Sequence, residues 1–274
     1  MPDSSIAQSS TSRPAPMPPR LLSLRALGAL LLPTALFALG VRSLIAASYI
    51  PGWQPTGDHR ADPALVDVNA VVLIALSVLV VTGPRRDLAY WGLAILLLLW
   101  IALWQSAGIV AAPGVVVIWL GVAEVGALAV ASALAANSMS KRHSVVLARY
   151  LFAAFGLCCV IFGISHFAYA DFTSKMIPAW IPARLPLAYF TGGAHVAAGL
   201  AIASGVLRKL AAWLLACMMG VFVALVHVPA VVVTHGSLVE VTFLLNACAL
   251  CGASIIVAHV ATSLRTFQSD QGMI

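Results

Sequence analysis

The sequence predicts an all-α membrane protein of eight transmembrane helices arranged as two parallel four-helix repeats, and three observations carry that prediction. Hydrophobic residues make up 62% of the 274 residues and charged residues only 9%, against the ~25% charged content of an ordinary soluble domain. Eight apolar stretches approach the ~20 residues a helix needs to cross a ~30 Å hydrocarbon layer: 26–49, 65–83, 88–105, 114–135, 147–168, 187–205, 210–232 and 239–263. Open strands cannot satisfy their backbone groups in lipid, so these segments are expected to be helical. The third observation is internal similarity. Ile50-Pro51-Gly52-Trp53-Gln54-Pro55 recurs as Ile177-Pro178-Ala179-Trp180-Ile181-Pro182, each between two apolar runs. A shift of 122 residues also aligns 69–105 with 191–227 without a gap, with ten of the 37 positions identical. The weight rests on the polar and proline landmarks keeping their order.

The elements follow in chain order. Residues 1–22, rich in Ser and Pro, bury too little apolar surface to offset the entropy of ordering and are expected to be a disordered tail. They do not read as a secretory signal, because Arg20 and Arg25 precede a full-length span rather than a short apolar region with a cleavage site. The first repeat occupies 23–136, a polar linker 137–148, the second repeat 149–265, and a C-terminal tail 266–274. With four spans in each half, both halves begin and end on the same side and are related by an axis along the membrane normal.

Orientation follows from Lys and Arg. Eleven of the fifteen lie in or directly beside the N-terminal tail, the 83–88 turn, the linker, the 206–209 turn and the C-terminal end. The opposite loops hold only Arg60, Lys175 and Arg184, which predicts an inner-membrane protein with both termini cytoplasmic and the Trp-Pro loops outside. The basic balance is thus a topology signal, and no basic soluble domain is present to bind nucleic acid. Short turns make sequential spans antiparallel neighbours, which predicts two four-helix bundles. The prolines of the Trp-Pro loops interrupt helix, and Trp53 and Trp180 are expected at interface depth, rings buried and N–H groups wet.

Ionisable groups inside a bilayer are costly and are read as paired or functional. Arg42 and Glu124 fall at similar depth in the first and fourth spans and are expected to form a buried ion pair. The second half carries His166, His195 and His227 near the same end of three neighbouring spans, with Asn246 at similar depth in the eighth. A neutral imidazole can ligate metal or haem iron, or exchange a proton beside a quinone carbonyl. No His-x-x-x-His spacing supports the metal reading. The candidate catalytic residues are therefore His166, His195 and His227, with Trp180, Thr191 and Asn246 as further ligand-binding candidates and quinone as the cofactor. All five cysteines lie in the second half and within spans, where small residues permit close helix packing.

Gly163-x-x-His166-Phe167, Met176-Ile177-Pro178-Ala179-Trp180-Ile181-Pro182 and Tyr189-x-Thr191-Gly192-x-x-His195-x-x-x-Gly199, with the basic turn Arg208-Lys209 and Pro229, resemble the DoxX-like membrane family. The resemblance covers the second half; the first shares the Pro-x-Trp-x-Pro loop and the turn near Arg86. It implies a four-helix membrane bundle and quinone-linked redox chemistry, while other relatives belong to redox-stress complexes or act as membrane chaperones and cargo receptors. His195 stands where that family commonly carries an acidic residue. The leading expectation is a quinone-linked redox protein or subunit working with a soluble or membrane redox partner. A non-catalytic chaperone or assembly factor, and a small-solute transporter using the axis between the repeats, are the alternatives.

Overall fold

The computed structural model describes residues 24–50, 53, 63–141 and 143–271, with side chains between 26 and 263. The expected disordered tail and most of the first Trp-Pro loop lie outside the described residues. Eight helices among them are long and apolar enough to cross a membrane, so this is an integral membrane protein. Span 1 is Leu24–Ala46, span 2 Pro63–Thr82, span 3 Arg86–Ala111, span 4 Val116–Met139, span 5 Val145–Ala168, span 6 Arg184–Ser204, span 7 Arg208–Val233 and span 8 Leu238–Gln271. A short helix, Ala170–Met176, follows span 5. Span 8 continues as helix through the stretch read from sequence as a C-terminal tail at 266–274 as far as Gln271.

The two halves follow one plan. Arg86–Trp100, a π turn at Ile101–Gln105 and Ser106–Ala111 recur as Arg208–Phe222, a π turn at Val223–His227 and Val228–Val233, each 122 residues on. Pro229 has no N–H for the carbonyl one turn earlier, which opens span 7; in span 3 the Ser106 hydroxyl donates to the Ala102 carbonyl at 2.7 Å. The basic turns share a role as well. Arg86 Nη2 donates to the Val81 carbonyl and Arg208 Nε to the Ile202 carbonyl, both at 2.8 Å, so each arginine satisfies an orphan carbonyl at the end of the preceding span. The linker is closed by Asn137, whose side chain donates to the Ser144 carbonyl and accepts from the Ser144 N–H, both at 3.0 Å. Ser144 in turn caps span 5 by accepting from the Leu147 N–H.

The halves are not two separate four-helix bundles. Span 1 packs on span 8 of the other half, span 5 on span 4, and spans 4 and 8 meet each other. Side-chain size explains the correction. Span 4 is buried almost without a break from Ala123 to Ala136, with alanine at seven of those fourteen positions, and span 8 buries Ala247, Ala249, Ala253, Ala258 and Ala261. A helix buried on all sides belongs in the centre, and small residues let backbones approach where hydrophobicity supplies no drive between helices. Spans 2, 6 and 7 instead leave Val71, Leu79, Phe190, Leu200, Leu214 and Val221 exposed to the lipid side.

Candidate functional site

Spans 5 and 6 meet along a glycine seam that sets the geometry of everything above it. A Cβ on Gly199 would lie 2.5 Å from the Gly156 carbonyl oxygen, and one on Gly163 would lie 2.5 Å from the Gly192 carbonyl oxygen. Nothing larger than glycine fits without moving backbone. The close approach brings His166 of span 5 beside Thr191 and His195 of span 6, with the two imidazole centroids 5.0 Å apart. Phe222 of span 7 lies 6.2 Å from the first ring and 6.0 Å from the second, and Phe162 meets His195 edge-on at 5.8 Å.

Thr191 orients both histidines. Its backbone carbonyl faces His195 Nδ1 at 2.9 Å, and its Oγ1 faces His166 Nδ1 at 3.0 Å. The hydroxyl also approaches the Leu187 and Ala188 carbonyls, at 3.0 and 3.1 Å. Buried polar groups normally find such partners, and here one residue supplies them to two rings.

These side chains form one wall of a cavity of about 560 Å³. The walls come from spans 4 to 8 and from the short helix Ala170–Met176, whose Phe172, Thr173 and Met176 roof the cavity at the Trp-Pro end. Tyr169 fastens that roof to span 4, its hydroxyl accepting from the Val117 N–H at 3.1 Å. The lining is mostly apolar, and its polar groups are few: Glu124, Ser165, His166, Tyr169, Thr173, Thr191, His195, His227 and Asn246. An apolar volume with a small set of convergent polar groups is the general form of a small-molecule site.

His166, His195, His227, Thr191 and Asn246 therefore all face one cavity. Trp180 does not: it is 70% exposed and outside the lining. Arg42 and Glu124 do not pair. Arg42 Nη1 donates to Ser48 Oγ at 3.0 Å and to the Ser48 and Tyr49 carbonyls at 3.2 and 2.9 Å. The physical reason is topological: span 1 packs on spans 2 and 8, so matching depths place Arg42 and Glu124 on different sides of the central helices. Glu124 turns into the cavity, where the Asn246 side chain lies beside it. These two residues occupy equivalent positions, 122 apart, on the two central spans. That equivalence is the sequence signal that would have moved Glu124 from an ion pair to the site. His227 closes the polar side from the end of the span 7 π turn, and π turns recur at functional sites.

None of the five cysteines lines the cavity. Cys159 and Cys251 are buried, and Cys251 Sγ donates weakly to the Ala216 carbonyl at 3.7 Å, which ties span 8 to span 7. Among the described residues no three His, Cys, Asp or Glu side chains are grouped as metal ligands.

Residues 155–242 match a family model described as a domain of unknown function (DUF8561). The matched segment holds His166, Thr191, His195 and His227, while Glu124 and Asn246 of the central spans lie outside it. No curated protein and no solved structure matches the chain.

Proposed function

We propose that the cavity binds the ring of a membrane quinone or quinol, and that the protein is a quinone-linked redox protein or the membrane subunit of one. The observation that carries this reading is the pair of imidazoles, 5.0 Å apart, fixed by Thr191 at the polar side of an aromatic and otherwise apolar volume. Phe162 and Phe222 offer faces and edges to a planar ring. The histidines offer positioned groups for the protons that accompany a quinone and quinol interchange. Quinol oxidation releases two protons and two electrons; His166 and His195 receive the protons, and a redox partner accepts the electrons. The motif resemblance described above supports the same chemistry. The distribution of Lys and Arg supports placing the cavity at the outer side of the inner membrane, with both termini cytoplasmic.

Purification in mild detergent followed by organic extraction and mass spectrometry tests the proposal. Retained quinone near one per chain, lost in His195→Ala protein that still inserts and elutes normally, is the expected result. Wild-type protein that neither retains a quinone nor binds added decylubiquinone or decylubiquinol would remove the reading.

A further inference from the structure

The hydrogen bonds around Thr191 determine which edge of each imidazole the cavity meets. A carbonyl oxygen only accepts, so His195 Nδ1, which faces the Thr191 carbonyl at 2.9 Å, carries the ring hydrogen. Thr191 Oγ1 has one hydrogen, and the Leu187 and Ala188 carbonyls of its own helix lie within reach of it. With that hydrogen given to either carbonyl, His166 Nδ1, at 3.0 Å from the oxygen, is the donor in the contact. In both neutral rings Nε2 is left as a lone pair, on the ring edge away from Thr191. Both rings line the cavity.

The opposite wall has the same polarity. Asn246 is 7% exposed beside Glu124, and its Oδ1 is buried with no hydrogen-bond partner. His227, whose Nδ1 is also buried without a partner, is the lining imidazole whose hydrogen the protein does not fix. The cavity thus faces its occupant with two imidazole lone pairs beside a carboxyl group, and buried acceptors left unmatched are costly.

We propose that this site selects a lipophilic ligand whose head carries hydroxyl donors, and hence the quinol form over the quinone. The inference rests on the proposed function and narrows it. A quinone carbonyl meets lone pairs with a lone pair; a quinol meets them with O–H. The quinol hydroxyls donate to His166 Nε2 and His195 Nε2, the atoms that would take their protons on oxidation.

The test uses the full-length protein in lipid nanodiscs under anaerobic conditions, with decylubiquinone, its reduced quinol and the quinol dimethyl ether as probes. Binding is read by quenching of tryptophan fluorescence. The quinol should bind at least about tenfold more tightly than the quinone, a ratio worth ~1.4 kcal/mol, and the ether should bind no better than the quinone. Thr191→Val, which removes the hydroxyl holding His166, should narrow the ratio. Equal binding of quinone and quinol, tighter binding of the quinone, or an ether as tight as the quinol would each overturn the selectivity while leaving a quinone site standing. Absence of binding by all three probes would overturn the proposed function along with it.

Discussion

The first and second halves build the same helices, yet treat the volume at their Trp-Pro ends in opposite ways. In the first half the chain after span 1 folds inward. Trp53 is 1% exposed, its carbonyl accepts from Trp100 Nε1 at 2.8 Å, and Trp100 packs on Tyr49 with centroids 5.3 Å apart. In the second half the equivalent connection becomes the short helix Ala170–Met176, which roofs the cavity, and Trp180 remains outside. Trp100 has Phe222 as its counterpart, Leu73 has His195 and Gln105 has His227, each 122 residues on. One half fills its interior with an indole; the other leaves space and lines it with imidazole. The difference teaches that the shared helical plan serves as scaffold, and that a handful of substitutions sets whether its Trp-Pro end holds a buried indole or a cavity lined with imidazole.

The two tryptophans give the sharpest break of that comparison. Trp53→Ala removes a fully buried ring and should cost about 3–5 kcal/mol, as large-to-small core changes do. Trp180→Ala changes an exposed side chain and should fall within ~0.5 kcal/mol of wild type. Detergent-resistance or chemical unfolding of the two proteins side by side measures this. Similar losses at both positions would mean that the loops are used alike and that the contrast between the halves is mistaken.

Exchange of the lining residues comes next in size. His195→Leu gives the second half the residue of the first, and should weaken decylubiquinol binding by more than about tenfold while changing stability by only ~1 kcal/mol. Leu73→His makes the reverse change at a position 1% exposed. It places an imidazole in a packed interior without an arranged partner and should cost roughly 1–3 kcal/mol without creating a second site. Wild-type quinol affinity in the His195→Leu protein would show that the imidazoles do not form the site.

How much of this could be read in the sequence depends on whether the signal is local. The eight spans follow from apolar length, and the gapless 122-residue register, read from residues such as Gly83, Arg86 and Trp91, agrees with the helix ends and π turns. The three histidines and Asn246 could be grouped by depth alone, because four positions near one end of neighbouring helices have few places to go. Facing direction was not legible. Whether Trp53 turns in and Trp180 out depends on what each ring packs against, which two similar Pro-x-Trp-x-Pro peptides do not specify. Helix neighbours were misread for a related reason: short turns fix sequential pairs, but the exchange of spans 1 and 5 between the halves arises from the alanine-rich spans 4 and 8 competing for the centre.

That misreading is most exposed at Arg42 and Glu124, where the smallest effect is expected. Two charges at matching depth invite pairing, and a buried pair leaves a large coupling when one partner is removed. In the structure each group already has its own neighbours: Arg42 holds Ser48 and Tyr49 just after span 1, and Glu124 faces the cavity beside Asn246. Arg42→Met should then destabilise through the loop, and Glu124→Gln should act on ligand binding. In a double-mutant cycle on stability the two changes should add to within ~0.5 kcal/mol, as independent sites do. A coupling of several kcal/mol, with the double variant recovering stability lost in either single one, would return the two charges to a common pair and separate Glu124 from the cavity between spans 4 to 8.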